Sequence, residues 1–443
     1  MIPLARVIGL INRMEEIEGG VMGTLYRGVS RVFWSVAVVV ALPLQARGEM
    51  PIQETAVFTL EAILGLAEQR NPSLAASLAG VEASRGEALT ARAYPNPTTT
   101  VTGGRGETRG ISPETARNEY QATFLQPLEW PFKRESRIQA ARSKVETARL
   151  DAEGFRLFLR AEVKDAFYRV LLADKQVELA VRNLETVRDL RRSVEIRVKT
   201  GEAPAFELVK ADVELLKAQN ELAKRRSQVE LARAGLNALL GNVLPKSFTV
   251  AGQFSSPKTW PDLPVLIERA METHPAVVRQ RREVERWRYQ LGFERQARVP
   301  DVGVGGLYLR DVDKETFGVV LSVPLPIWDQ RQGKIATAMA EGRRAEADLE
   351  RSRTELTKAI TQEFQNYRIA AEQLAVFETG LLKQAEEALR IAQISFRQGA
   401  SGLLDLLDAQ RVQRATLQEY HGALYDLSVA QAQLERVTGL AQD

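Results

Sequence analysis

Arg397–Gln410 reads RQGASGLLDLLDAQ. It is a glycine-bearing turn followed at once by two aspartates, Asp405 and Asp408, at helical i,i+3 spacing. One long polar–apolar helical pattern runs into it and another runs out. Val198–Ala211, VKTGEAPAFELVKA, repeats it. Gly201 matches Gly399, Glu207 matches Asp405, Leu208 matches Leu406 and Ala211 matches Ala409, always 198 residues apart. Trp130 and Trp328 share that offset, as do Gly241 and Gly439. A single offset held over this span identifies a tandem duplication, with repeats at about 55–242 and 260–440.

Each turn joins two rods. From Glu135 to Val198 the only Gly or Pro is Gly154, so a continuous helix would extend on the order of 95 Å. Its apolar positions keep a seven-residue repeat. Val163, Val170, Val177, Leu184 and Val198 form one line. Leu159, Ala166, Ala173, Ala180, Val187 and Val194 form another, and Arg191 is the break. The returning helix carries Leu208, Leu215, Leu222, Val229 and Leu236, with Ala211, Ala218, Ala232 and Leu239 beside them. Gln332–Arg397 and Leu403–Val437 repeat the design, with Ile360, Tyr367, Leu374, Leu381 and Ala388 as one line. A strict heptad coils helices around a partner, and the Gly201 turn makes that pair an antiparallel hairpin. Many seam residues are Ala, which suits a curved sheet of helices closing a hollow cylinder. A solid coiled-coil bundle has the same periodicity, so the rods alone leave both open.

The segments between the rods decide further. Phe58–Gln69 and Pro264–Glu272 read as short amphipathic helices, each followed by a break at Asn71-Pro72 or His274-Pro275. Asn before Pro is a natural helix boundary, and His274 is expected as a cap or exposed loop residue rather than a ligand. Thr98–Gly103 and Glu119–Gln126 have strand character and flank a Gly/Arg/Thr-rich loop, Gly104–Arg117. In the second repeat Val302, Val304, Gly306 and Tyr308 alternate, and so do Phe317, Val319, Leu321 and Val323 after a turn. Alternation over two faces argues for strands, ended by Pro127 and Pro324. Trp130 and Trp328 follow, where aromatics suit a membrane–water interface; ordinary soluble hairpins with boundary Trp residues fit the same pattern. Four strands cannot close a barrel, and an open edge is not tolerated in lipid. Membrane-spanning hairpins therefore require several chains to share one barrel; three would give twelve strands.

Composition excludes several classes. Among 443 residues, 60 basic and 57 acidic side chains leave a net charge of +3, too balanced for a nucleic-acid or anionic-surface binder. Cysteine is absent and only His274 and His421 occur, so neither thiolate nor His-based metal chemistry is supported. No nucleophile–base constellation, cofactor motif or phosphate-cradling loop appears; Gly103–Gly110 follows a strand but leads into no helix. An enzyme, a resident metal and a cofactor are not expected. Arg27 and Arg31 precede the apolar run Val32–Leu44, and Gln45-Ala46 offers a cleavage site. Residues 1–46 thus read as a secretory signal peptide with upstream residues, Met22 being a candidate start. An uncleaved anchor is the alternative, although the run is shorter than the roughly 20 residues a span needs.

With the order helix, hairpin, long helix pair, twice over, and the turn GxxxxLLDLLDA at Gly399–Ala409, residues 47–443 resemble the TolC-type outer-membrane efflux channels. The resemblance implies a homotrimer: a twelve-stranded outer-membrane β-barrel and an α-barrel hanging into the periplasm. The short helices would form a belt around that tunnel. Its partners would be a periplasmic adaptor and an inner-membrane pump. QPLEWPFKR at Gln126–Arg134 and VPLPIWDQRQGK at Val323–Lys334 look like the subgroup serving heavy-metal exporters. Export of drugs or organic solutes and type I protein secretion stay open, and a periplasmic coiled-coil scaffold is the rival class. The family's two acids at this turn ring the periplasmic mouth, which implies that role for Asp405 and Asp408. Stabilising the start of a helix is the alternative, and both can hold together. Glu207 and Lys210 stand at the equivalent places in the first repeat and are expected to form a charge network between the hairpins that helps hold the mouth closed. Gly201 and Gly399 are expected to mark the adaptor surface, and Trp130 and Trp328 the membrane interface. Where some drug-type members close the mouth with Tyr and Arg, this chain has Phe396 and Ser401.

Overall fold

A 69-residue helix is the spine of the protein. The computed structural model describes residues 56–106, 117–245, 247–312 and 314–440, so the expected signal peptide, with its upstream residues, and most of the Gly104–Arg117 loop lie outside the described residues. The first repeat runs β1 (Ala56–Phe58), α1 (Leu60–Arg70), α2 (Pro72–Arg92), β2 (Thr98–Gly106), β3 (Arg117–Leu128), α3 (Pro131–Lys199) and α4 (Ala205–Leu239). The second runs β4 (Phe248–Val250), α5 (Leu263–Thr273), α6 (Pro275–Gln296), β5 (Val302–Arg310), β6 (Glu315–Ser322), α7 (Gln332–Val376), a π-helical turn (Phe377–Leu381), α8 (Leu382–Arg397) and α9 (Leu403–Thr438). The spine α3 begins at Pro131, earlier than the pattern from Glu135 indicated, because proline is preset for the first helical position and needs no N–H there.

The first hairpin buries its expected seam. Leu159, Val163, Val170, Ala173, Ala180, Leu184, Val187 and Val194 of α3 are buried, as are Ala211, Ala218, Leu222, Val229 and Leu236 of α4. At the break, the Arg191 guanidinium instead reaches Asp212 across the hairpin at 2.7 Å. The second rod departs from expectation. Ile360, Tyr367 and Leu374 are buried, but Leu381 is exposed and Ala388 lies outside the seam. The π turn inserts one extra residue, which rotates every later side chain relative to the heptad. The seam therefore resumes one residue late, through Leu389 and Phe396.

Side by side, the helices form a curtain. Near the strands its order is α2–α3–α6–α7; toward the turns α4 and α9 take over the flanks of α3, and α9 packs on α7 and α8. The four long strands form one antiparallel sheet, β2-β3-β5-β6, with β3–β5 joining the two repeats. β2 and β3 are longer than the alternation indicated. Pro127 does not end β3: β2 has already finished at Thr98, opposite Leu125, so Pro127 sits where β3 has a neighbour on one side only. No local pattern marks the parallel β1–β4 pair that ties the starts of the two repeats.

Asn71 and His274 perform one task in both repeats. Asn71 Oδ1 accepts from Leu74 N–H at 2.9 Å, capping α2, and Nδ2 donates to Leu239 O, at the end of α4, at 2.8 Å. His274 Nδ1 accepts from Ala276 N–H at 3.3 Å, and Nε2 lies 3.2 Å from Arg436 O near the end of α9. Below these caps a strap, residues 251–262, crosses the curtain. Phe254 stacks on Tyr168, Ser255 N–H donates to Ser428 Oγ, and Trp260 packs edge-on to Tyr367.

Candidate functional site: channel mouth and membrane face

At one end of the curtain the two hairpin turns lie together. Gly201 and Gly399 adopt φ of +80° and +70°, a left-handed backbone that glycine enters without a Cβ penalty. Leu190 and Val194 of α3, Ala211 of α4, Phe396 of α8 and Leu403 and Leu406 of α9 form one buried cluster, so the two tips share a core. Phe396 belongs to that core, with the Arg197 guanidinium 4.9 Å from its ring centre.

Burying Leu403 and Leu406 leaves Asp405 and Asp408 on the open side of α9. Gly402 is the N-cap, and its N–H donates to Asp405 Oδ2 at 3.1 Å. Only this half of a capping box forms, since glycine offers no side chain in return. Asp408 meets Arg411 at 3.2 Å on its own helix. Lys210 stands 4.5 Å over the Phe206 ring. Within the protomer, therefore, neither Glu207 nor Lys210 pairs with the aspartates among the described residues: Gly402 N–H and Arg411 occupy the carboxylates, and Phe206 holds the ammonium. What the fold does bring together is Lys210, Asp405 and Asp408, on one open groove of about 630 Å³ between α4 and α9.

The hairpins meet along α3 and α9, and beyond the apolar tip cluster that contact is polar where the seams inside each hairpin are apolar. Lys164 pairs with Glu435 across it. Tyr425 donates to Asp165, whose carboxylate also holds Arg169 at 2.9 Å; burial and the Asp165 carboxylate push the Tyr425 hydroxyl up to about 12. His421 is half-buried near Lys175, Glu178 and Arg182, and burial, then the Lys175 charge, lowers its pKa. Heptad reading missed this seam because its residues belong to polar positions of each helix taken alone.

At the other end the sheet has two unlike faces. Val101 of β2, Phe124 of β3, Tyr308 of β5 and Phe317, Val319 and Leu321 of β6 share one face by register. Phe317 is 80% exposed, Val319 86% and Leu321 69%. Thr98, Thr100 and Thr102, Gln121, Thr123, Thr316 and Ser322 occupy the opposite face, with Leu125, Leu307, Leu309 and Val320 among them. Among the described residues β2 and β6 each have a strand on one side only. Trp130 caps α3 and Trp328 lies between β6 and α7; both are exposed at the foot of the sheet. No described helix is long and apolar enough to cross a membrane.

The model of the family described as outer membrane efflux protein matches residues 63–242 and 266–440. The chain belongs to that family. It is an outer-membrane efflux channel protein, with its helical rods on the periplasmic side. It is 30% identical over 393 residues to the cobalt-zinc-cadmium resistance protein CzcC of Cupriavidus metallidurans, covering 88% of this chain and 92% of that protein. A crystal structure of CusC, determined in work on folding and transmembrane channel formation, superposes with a TM-score of 0.74 at 16% identity. It covers 89% of this chain and 98% of CusC. The open-state MtrE outer membrane channel of Neisseria gonorrhoeae gives 0.71 at 18% identity, covering 86% and 88%.

Proposed function

We propose that three copies of this chain close into the passive exit duct of a tripartite system that exports metal cations. The observation that carries the closure is the unfinished protomer. Its sheet exposes an apolar face and two unpaired edges, and its curtain exposes apolar side chains on edge helices, Phe206, Val209, Val213 and Leu216 on α4 and Ile369, Val376, Ile391 and Ile394 on α7–α8. Threefold closure pairs all of these and gives twelve strands. In the ring the threonine-rich face lines water and the apolar face meets lipid. Residues 1–46 direct export and are removed.

The mouth is where the ring acts on its cargo. Asp405 and Asp408, tripled, place six carboxylates around the axis, and carboxylate rings attract and concentrate cations. Glu207 and Lys210 act between protomers, where each carboxylate retains free acceptor capacity. The glycine turns Gly201 and Gly399 meet the adaptor, Trp130 and Trp328 anchor the foot of the barrel, and an inner-membrane pump supplies the energy. Metal cations are favoured as cargo by the likeness to a protein named for cobalt, zinc and cadmium resistance. The test is purified protein in planar bilayers together with a deletion strain. A trimer conducting cations in preference to anions, and a strain sensitised to zinc or cobalt, are expected. A monomer released without detergent would return the chain to a scaffold, and unaltered metal tolerance would remove the cargo assignment.

A further inference from the structure

Between the sheet and the belt helix α1, a cleft of about 660 Å³ opens over α3, walled by α2 and α6. Arg85, Arg92, Arg142 and Arg282 line it, over a floor that includes Leu89 and Tyr289. Its two carboxylates, Glu285 and Glu146, both act on Arg282, the first at 2.8 Å, and stand against four guanidinium groups. Among the described residues Arg85, Arg92 and Arg142 have no ion-pair partner, so the cleft holds uncompensated positive charge beside exposed apolar carbon.

The direction in which it opens follows from spacing on α3. Phe132, Gln139 and Glu146 recur every seven residues and share a face. That face continues at helical intervals through Arg149, Glu153 and Arg156 to Arg160, whose guanidinium meets Glu68 of α1 at 3.1 Å. The cleft therefore opens on the side that carries the belt helix. On that same face, two helical turns before Gln139, stands Phe132, 64% exposed and packed beside Trp130 at the foot of the sheet. Arg92 is the last residue of α2, just before β2, whereas Arg142 lies on the order of 16 Å down α3 from Pro131. In the proposed ring, with Trp130 at the membrane interface, the cleft begins at headgroup depth and runs into the periplasm.

We propose that this cleft binds an anionic glycerophospholipid of the periplasmic leaflet. Its phosphate sits among Arg85, Arg92 and Arg142, and its proximal carbons run up past Leu89 toward Phe132 and the bilayer. Guanidinium is suited to this task, since its fork matches phosphate oxygens bidentately and is weakly hydrated. Continuity with the lipid-facing sheet favours a lipid over a soluble anion. The inference rests on the belt side being the outer side of the proposed ring.

The experiment titrates detergent-purified protein with phosphatidylglycerol or phosphatidylethanolamine and counts bound lipid by native mass spectrometry. Wild type is expected to prefer phosphatidylglycerol about tenfold or more, as two surface arginines warrant. Arg85→Gln with Arg142→Gln is expected to abolish the preference while oligomeric state and conductance stay unchanged; both residues are exposed, so folding is not at stake. Leu89→Ser is expected to weaken both lipids and leave binding of inorganic phosphate alone. Equal phosphatidylglycerol binding by wild type and the double variant would overturn the proposal. Arginine-dependent binding of muropeptide in place of lipid would overturn it too, assigning the cleft to the cell wall. A sample that is monomeric or does not conduct would strike at the proposed ring, and the lipid preference would still be read separately.

Discussion

The two aspartates of the turn are chemically alike and structurally different. Asp405 stands in the first turn of α9 and accepts the Gly402 N–H, so it stabilises the helix start by about 0.3–1 kcal/mol as well as presenting charge. Asp408, one turn further along, has only the exposed Arg411 as partner. Asp405→Asn keeps an acceptor and loses the charge, whereas Asp405→Ala loses both. In bilayers Asp405→Asn and Asp408→Ala are each expected to reduce cation selectivity, and together to relieve block by multivalent cations. Only Asp405→Ala is expected to lower the thermal midpoint as well. Selectivity retained in the charge-neutral pair would show that these carboxylates face away from the pore. Substituting Glu207 or Lys210 is expected to raise single-channel conductance; because neither pairs with the aspartates inside one protomer, the effect must come from contacts between protomers.

Asn71 and His421 also carry predictions of their own. Asn71→Ala removes a buried cap and leaves Leu239 O without its donor, an expected loss of about 1–3 kcal/mol, read as a lower denaturation midpoint. His421 is held below its ordinary value of 6.5, mainly by burial. The folded protein thus takes up the proton less readily than the unfolded chain. Its contribution is complete above about pH 6.5 and is lost as pH falls through the lowered folded value. The groups facing it are Lys175, Glu178 and Arg182 of α3, with Tyr420 adjacent on its own helix and Glu378 of the π turn near Tyr420. Acidification is therefore expected to loosen the α3–α9 seam, and His421→Gln to flatten the stability profile below pH 6.5. An unchanged acid limb in that variant would place the sensitivity elsewhere.

Among the elements, the second rod differs from the first at one place. α3 runs unbroken, whereas α7 and α8 are joined through the π turn, whose Phe377 packs against Tyr420 of α9, next to His421. Deleting Gly380 is expected to restore a continuous helix and, because it removes the one extra residue, to keep Leu389 and Phe396 on the seam. Inserting one alanine after Leu382 is instead expected to rotate both off the seam, so that the tip cluster loses its α8 contribution, with raised conductance and faster proteolysis at the Gly399 turn. Wild-type behaviour in that insertion would mean the seam tolerates either register. Alternation along the strands was legible in the sequence because a two-residue period is local. The extra residue of the π turn was not, since Leu381 and Leu382 both suit the apolar line and only the later Leu389 and Phe396 carry the shift.

For the whole molecule, the two faces of the sheet set the test of the proposed ring. Val319 lies on the apolar, exposed face and Val320, its neighbour in β6, points the other way. Val319→Arg is expected to cost about 2–4 kcal/mol of membrane stability if that position lies near the bilayer midplane, and Val320→Thr close to nothing. The yield of detergent-resistant oligomer from outer-membrane fractions measures both. Equal yields would mean that the sheet does not face lipid.

By itself the sequence determined the duplication, the two glycine turns, the length of the rods, the first hairpin's seam and the two-faced strands. Each follows from a period or a backbone requirement confined to neighbouring residues. The tertiary structure alone decided that β3 pairs with β5, that β1 pairs with β4, and that residues 251–262 strap the curtain. It also decided that the hairpins meet through Lys164, Asp165, His421, Tyr425 and Glu435. Those are choices between partners more than a hundred residues apart in sequence or hidden among polar surface positions. They depend on which surfaces remain uncovered once each local element has formed, and no local period records that.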